Sequence, residues 1–360
     1  MATDTATPVA TWWDREDDQA LVCVDVRAET HDVKTFWFQA QEDRFFRFQA
    51  GQYFLFELEV DGEPVSRCYS ISSSSSVHRL FSITVKRVPG GKVSNWLHDH
   101  LVPGRALQGA GPAGAFTLEA PLRRKVLLIS GGVGITPMMS MVRSLSDARQ
   151  HPDIVFLHAG RTPADLVYRD ELLYRAKVTP NFRLVFLPEA LGDEAGYAGV
   201  TGRVSQPLLA ATVPDLAQRD VLCCGPAPFM AAVKQASVAL GVPPERYFEE
   251  SFDAAVLEAP VLPPVADKPA SGGATFQVTF AKQNKVMQVA GDQLVLAAAR
   301  QHGVSIPSSC GNGLCGTCKS KLVSGKVDMQ HTGGIRKREV DAGFFLPCCS
   351  KPLSDLVIER

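Results

Sequence analysis

Nine cysteines are spread unevenly along the 360 residues, and five of them fall from Cys310 onward. Cys310, Cys315 and Cys318 stand at C-x4-C-x2-C spacing, with Cys348 and Cys349 thirty residues further on. Four thiolates at this spacing can converge on two irons, and soft sulfur ligands suit them, so the pattern points to a [2Fe–2S] cluster of the plant type. Zinc is the rival occupant, but zinc sites usually pair two C-x2-C knuckles and only one is present. Gly311, Gly313 and Gly316 sit where a loop folded around a cluster needs positive φ or close approach. Their N–H groups, with that of Thr317, can point at the sulfides. Successive side chains point apart, so one of Cys348 and Cys349 is expected to face away.

A second group of residues suits a dinucleotide. Gly131, Gly132 and Gly134, followed by Thr136 and Pro137, come after the apolar run 126–129. A buried strand, a glycine turn and a helix start let backbone approach a pyrophosphate and add positive potential. Pro137 suits a first helical turn. The spacing is not G-x-G-x-x-G, and a simple packing turn is the alternative. Cys224, Gly225 and Pro226 end the last apolar run, where open α/β sheets place ligands. Cys223 reads as an inert core thiol. A third group, Arg67, Tyr69 and Ser70, combines a phosphate clamp, a ring to stack and a hydroxyl donor.

The elements that must carry these groups change character along the chain. Phe56, Leu58 and Val60 alternate with Glu57 and Glu59, and Phe81, Ile83 and Val85 with Ser82, Thr84 and Lys86. This period of two predicts half-buried antiparallel strands of a small barrel. Beyond Pro121, non-alternating apolar runs at 126–129, 154–157, 184–187 and 221–223 are separated by helix-like stretches at 137–145 and 227–240, which predicts a parallel α/β sheet. Residues 254–273 are rich in Pro, Ala and Val and read as a semi-stiff linker. A compact third domain follows from about 274 to 360. The serine run 72–76 reads as a flexible loop.

Together these motifs, in this order, resemble the ferredoxin–NADP⁺ reductase superfamily with a C-terminal plant-type ferredoxin domain, over roughly residues 20–360. The resemblance implies a multidomain fold: an antiparallel β-barrel FAD domain at 20–120, an α/β parallel-sheet nucleotide domain at 121–253 and an α+β β-grasp ferredoxin domain at 274–360, after an N-terminal extension at 1–19. It implies that Arg67 contacts the FAD pyrophosphate, Tyr69 stacks on the flavin ring and Ser70 faces its N5 edge. Gly91 and Ser94 match a G-x-x-S motif that implies FAD rather than FMN, and Lys86 is counted with the cofactor-binding candidates. The turn 111–116 looks like the barrel closure. Gly131, Gly132, Gly134, Thr136 and Pro137 match the nucleotide turn, and Cys224, Gly225 and Pro226 the stretch beside the nicotinamide. Glu250 and Phe252 look like the acidic and aromatic end of the reductase module. Ser70, Cys224 and Glu250 are thus the candidates for shaping hydride transfer. The same resemblance selects Cys348 as the fourth cluster ligand. Gly311 and Asn312 replace an arginine frequent in the family.

Within the superfamily, the likeness is to reductase components of Rieske-type monooxygenases, such as glycine betaine demethylation systems, and to reductases of hybrid-cluster protein. It implies a reductase that takes hydride from NADH, splits it into single electrons through FAD and the cluster, and passes them to a terminal oxygenase or, alternatively, to hybrid-cluster protein. NADPH needs cations at its 2′-phosphate. Arg161 is available, but Asp165 stands close by, so NADH is the expected donor. A redox sensor without turnover is disfavoured by the complete nucleotide site, and a self-contained oxygenase by the lack of a domain to hold its iron.

Composition limits the partners. Net charge is −1, so nothing global suggests nucleic acid or an anionic membrane. No apolar run nears the ~20 residues of a membrane span, and the start does not read as a signal peptide, so a cytoplasmic location is expected. From 275 onward, eleven Lys and Arg oppose six Asp and Glu. An acidic docking partner for the stretch 336–338 is one reading of this excess, and scattered solvated charge the other.

Overall fold

Alternation in the first third builds six antiparallel strands: β1 (Ala20–Ala28), β2 (Val33–Ala40), β3 (Tyr53–Val60), β4 (Glu63–Ser70), β5 (Phe81–Lys86) and β6 (Ala106–Ala113), in the order β4-β3-β6-β1-β2-β5. The two edges meet through a bridge between Ile71 and Ile83, which closes the sheet into a barrel. Asp61 and Gly62 both take positive φ, the two-residue turn that a tight β3–β4 hairpin requires. Phe56, Leu58 and Val60 point inward as expected. In the core, the Phe54 and Phe81 rings stack at 4.2 Å and Phe46 meets Phe81 edge-on at 4.9 Å. Helix α1 (Lys92–His100) packs on the barrel through Val93 and Leu97.

This computed structural model describes residues 11–14, 20–118, 125–194, 196–252 and 274–360, apart from 305, 307, 309, 310, 312, 314, 315 and 332. The expected linker at 254–273 lies outside the described residues, as do Cys310 and Cys315. Among the described residues, no helix is long and apolar enough to cross a membrane.

Trp13, on the N-terminal side of the boundary expected at Ala20, belongs to the barrel core. It is 7% exposed, packs on Phe46 and Phe54, and its indole N–H donates to the Gly111 carbonyl at 3.1 Å. Trp13→Ala should cost about 3–5 kcal/mol, as for other large-to-small core changes. A thermal melt of the variant that matches the parent would refute this role.

The middle of the chain folds as β7 (Lys125–Gly131), α2 (Thr136–Asp147), β8 (Ile154–Gly160), α3 (Arg169–Val178), β9 (Phe182–Pro188), α4 (Gln206–Thr212), β10 (Arg219–Cys224), α5 (Ala227–Ala239) and β11 (Tyr247–Glu250). The strands are all parallel, in the order β9-β8-β7-β10-β11. The order reverses at β7, so a crevice opens between the carboxyl ends of β7 and β10. Leu128, Phe156 and Leu222 fill one face with Met138, Met139 and Val142 of α2, while Leu127, Val155 and Val221 fill the other with Val233 and Ala236 of α5.

Barrel and sheet form one compact unit, residues 1–252. Their seam explains two departures from the sequence reading. Ser82 and Thr84, expected to face solvent, are buried, and Ser72 to Ser74 are not a flexible loop but buried too. The hydroxyl of Ser72 bonds those of Ser82 (2.8 Å) and Thr84 (3.0 Å), Thr84 bonds Thr35 (2.8 Å), and both threonines bond the Tyr168 hydroxyl that precedes α3. From α2, Ser140 donates to the Ser73 carbonyl (2.8 Å), Arg143 to the Ser72 carbonyl (2.6 Å), and Ser144 Oγ accepts from the Ser75 N–H (2.8 Å). Composition marks a serine run as loop, but partners on α2 satisfy its polar groups and make burial affordable.

The second unit, from residue 253 onward, carries β12 (Thr275–Phe280), β13 (Lys285–Ala290), β14 (Ser320–Ser324), β15 (Phe344–Phe345) and β16 (Leu356–Glu359), in the order β13-β12-β16-β14-β15. Only β12 and β16 run parallel. Helix α6 (Val295–Gln301) buries Val295, Leu296, Ala298 and Ala299 in the core that Val278, Phe280 and Ile358 share with Cys318, Cys348 and Cys349.

Candidate functional site

Glycine has two different jobs in the turn after β7. Gly132 takes φ +53° with open space around it, so the demand there is conformational. Gly134 is a packing demand: a Cβ would stand 2.4 Å from the Cys224 carbonyl oxygen and 2.7 Å from the Gly225 nitrogen. Gly225 returns the contact, since its Cβ would meet the Gly131 nitrogen at 3.0 Å. The turn Gly132–Ile135 is a 3-10 turn leading straight into α2, with Pro137 in the first helical turn. The Thr136 hydroxyl donates to the Val133 carbonyl at 3.1 Å, which closes this turn. Pro226 similarly precedes α5. Two helix starts therefore flank one crevice with backbone amides directed into it.

The three strand ends lie side by side. Ser130 of β7 is paired in register with Cys224 of β10, and Cys224 with Glu250 of β11. Glu250 then reaches the barrel: its Oε2 accepts from the Ser70 hydroxyl at 3.3 Å. The row Ser130, Cys224, Glu250, Ser70 thus joins the nucleotide crevice to the end of β4, across 180 residues of sequence for the last step. Burial pushes the Glu250 carboxyl up to about 8, against the opposing pull of the Ser70 hydrogen bond. Cys224 is fully buried on the face that α2 covers, and Cys223 points to the other, where burial pushes its thiol up to about 12.

The flavin residues fit the group expected of them. Arg67 is exposed, donates to the Ser66 carbonyl at 2.8 Å and has no carboxylate partner among the described residues, leaving its guanidinium able to take a phosphate. Tyr69 is half-buried against the barrel core, and Phe252 is 41% exposed at the end of the unit. Ser94 Oγ accepts from the Val88 N–H (3.1 Å) and lies 2.8 Å from where a Gly91 Cβ would be, so the two fasten the turn before α1.

Lys86 and Arg161 are brought together, which nothing in their spacing signals. Asp32, between β1 and β2, lies 3.2 Å from Lys86 Nζ and 3.3 Å from the Arg161 guanidinium. Arg161 also pairs with Asp165, whose other oxygen accepts from the Thr162 N–H (3.0 Å) and hydroxyl (2.8 Å). Burial would raise Asp165, but the Thr162 bonds and the guanidinium outweigh it and hold the carboxyl below its usual value.

In the second unit, Gly311, Gly313 and Gly316 take φ near +70° (70°, 75° and 73°). The Gly313 N–H donates to Cys348 Sγ at 3.2 Å, and Cys318 and Cys348 are buried. Buried thiols facing backbone donors are what an iron–sulfur cluster requires. The expectation that one of Cys348 and Cys349 faces away is overturned. Pro347–Cys349 is a 3-10 turn, not a strand, and a Cβ on Gly313 would meet Cys349 Sγ at 2.6 Å. The proposed cationic face is also reduced, because Arg336 is only 4% exposed.

Family models match in the same order: the oxidoreductase FAD-binding domain over residues 21–118, the oxidoreductase NAD-binding domain over 128–235 and the 2Fe-2S iron-sulfur cluster binding domain over 278–353. The glycine betaine monooxygenase reductase subunit of Pseudomonas aeruginosa is 42% identical over 373 aligned positions, covering all of both chains. The chain belongs to this family of FAD- and NAD-binding reductases with a fused 2Fe–2S domain. The corresponding subunit of Chromohalobacter salexigens is 44% identical over 94% of each chain. Among solved structures, phthalate dioxygenase reductase is 25% identical with a TM-score of 0.56, covering 95% of this chain and 97% of that one. As a member of this family the chain is an oxidoreductase that draws electrons from NADH through FAD and a [2Fe–2S] cluster.

Sequence reasoning missed residues of the seam and the crevice floor. Tyr168, Arg143 and Thr35 carry no motif. Ser130 and His158 form a fully buried pair at 2.9 Å beneath the nucleotide turn, and burial pushes His158 down to about 3, so its ring is neutral. A serine ending an apolar run was the one available signal.

Proposed function

We propose that this chain is the reductase component of a two-component Rieske-type monooxygenase that demethylates a quaternary amine of the glycine betaine kind. The observation that carries this reading is the end-to-end likeness to glycine betaine monooxygenase reductase subunits, which extends through the ferredoxin part.

In this reading Arg67 holds the FAD pyrophosphate, Tyr69 and Phe252 flank the ring, and Gly91 and Ser94 shape the turn beside the phosphates. The bound flavin accepts two electrons as hydride and releases them singly, which matches a nicotinamide donor to a one-electron cluster. Gly131, Gly132, Gly134, Thr136, Pro137, Gly225 and Pro226 shape the crevice for the donor, with the two helix starts facing its phosphates. Arg161 and Asp165 sit at its ribose end, Lys86 bracing them through Asp32. Ser70 and Glu250 govern the proton at the flavin edge, and Cys224 fixes the spacing between that edge and the crevice. Cys310, Cys315, Cys318 and Cys348 hold the cluster.

The test is anaerobic reduction of the purified oxygenase subunit by NADH through this chain, followed by demethylation under oxygen. Reduction of the oxygenase's iron–sulfur centre and release of formaldehyde are the expected results. An oxygenase that stays oxidised while the FAD and cluster of this chain are reduced would sink the assignment, and reduction of hybrid-cluster protein in its place would establish the alternative acceptor.

A further inference from the structure

Two thiols, not one, are directed at the cluster loop from the 347–349 turn. In a 3-10 turn adjacent residues lie about 120° apart around the axis, so neighbours need not occupy opposite faces. Gly313 touches both sulfurs: its N–H donates to Cys348 Sγ at 3.2 Å, and the space beside its Cα is taken by Cys349 Sγ. Cys349 is 8% exposed, and its tie to the backbone is a weak one, an S–H donated to the Leu346 carbonyl at 3.5 Å. Both sulfurs thus meet the loop at one residue, Gly313, which has no side chain to stand between them.

We propose that Cys349 is a second ligand-competent thiol, able to bind the cluster iron in place of Cys348. In the exchange the bond from iron to Cys348 sulfur breaks and one to Cys349 sulfur forms. The Cys349 thiol proton passes to the released Cys348 thiolate, and no electron moves. The inference rests on Cys348 being the resident ligand.

The full-length chain is tested as Cys348→Ala, Cys349→Ala and the double variant, reading iron and labile sulfide per chain and the electron paramagnetic resonance spectrum of the reduced protein. Cys349→Ala should keep about two irons and the parent spectrum. Cys348→Ala should keep at least about half the iron with shifted g-values, and the double variant should lose more than about tenfold. Retained FAD shows that the first unit is intact, and Cys348→Ser guards against collapse of the empty loop. Iron loss in Cys348→Ala as complete as in the double variant, or a Cys348→Ser spectrum unmoved by adding Cys349→Ala, overturns the proposal. Loss of the parent spectrum in Cys349→Ala with its survival in Cys348→Ala shows instead that Cys349 is the resident ligand, and overturns the assignment on which the proposal stands.

Discussion

Glu250→Gln should remove the alkaline limb from the pH profile of hydride transfer. In the parent, burial holds the Glu250 carboxyl up near 8, so below that pH it is neutral in the folded protein. A neutral carboxyl can instead donate to Ser70 Oγ, which in the proposed reading frees the Ser70 O–H, here donated to Glu250 Oε2, for the flavin edge. As pH rises through about 8 the carboxyl ionises, accepts the Ser70 O–H firmly at 3.3 Å, and, in the proposed reading, places a negative charge where reduction adds electron density. Flavin reduction by NADH should then fall by about tenfold per pH unit above the pKa, as for any single essential acid. Glutamine is neutral at every pH and keeps the hydrogen bond. Its profile should be flat between pH 7 and 9.5 in stopped-flow measurements, and a variant that retains the parent limb would refute the role. Stability follows the same sign. The folded pKa lies above the unfolded one, so the Glu250 contribution is fully present below about 4.5, declines as the unfolded chain ionises, and is lost as pH passes about 8. Glu250→Gln should therefore gain melting temperature relative to the parent most clearly in alkaline buffer.

Asp165→Asn should shift nucleotide preference toward NADPH. Arg161 is the cation at the end of β8 suited to a 2′-phosphate, but Asp165 and Asp32 already hold its guanidinium. A 2′-phosphate would meet those carboxylates, while a 2′-hydroxyl can donate to one of them. Asparagine keeps an acceptor for Thr162, so the turn survives, and it removes the charge that competes for Arg161. A hydrogen bond to a charged group contributes about 1.5–3 kcal/mol, so the ratio of kcat/KM for NADPH over NADH should rise by about 10- to 100-fold. Steady-state kinetics with ferricyanide as acceptor reads this without the oxygenase. An unchanged ratio would place the ribose elsewhere.

Sequence alone made the architecture legible wherever the physics is local. The period of two in β3, the non-alternating runs of β7 and β8, and the positive-φ demand at the cluster glycines are each set by a few neighbouring residues. What was hidden depends on distant partners. Trp13 is core because Gly111 offers a carbonyl 98 residues away, and the serines after β4 are buried because α2 presents Ser140, Arg143 and Ser144 some 70 residues later. Cys349 departs from expectation for a different reason: successive side chains point apart in a strand, but residues 347–349 fold as a 3-10 turn.

The buried hydroxyls between barrel and parallel sheet make a mechanical boundary disagree with a genealogical one. Flavin and nucleotide modules are recognised as separate families, yet here they are fastened by neutral, solvent-excluded bonds that added salt does not screen. They should therefore open as a single cooperative unit, with amide exchange in β5 and in α2 slowed to the same degree. In such a molecule, hinge motion is not available for admitting the nucleotide, so selection among donors must be built into the walls of the crevice.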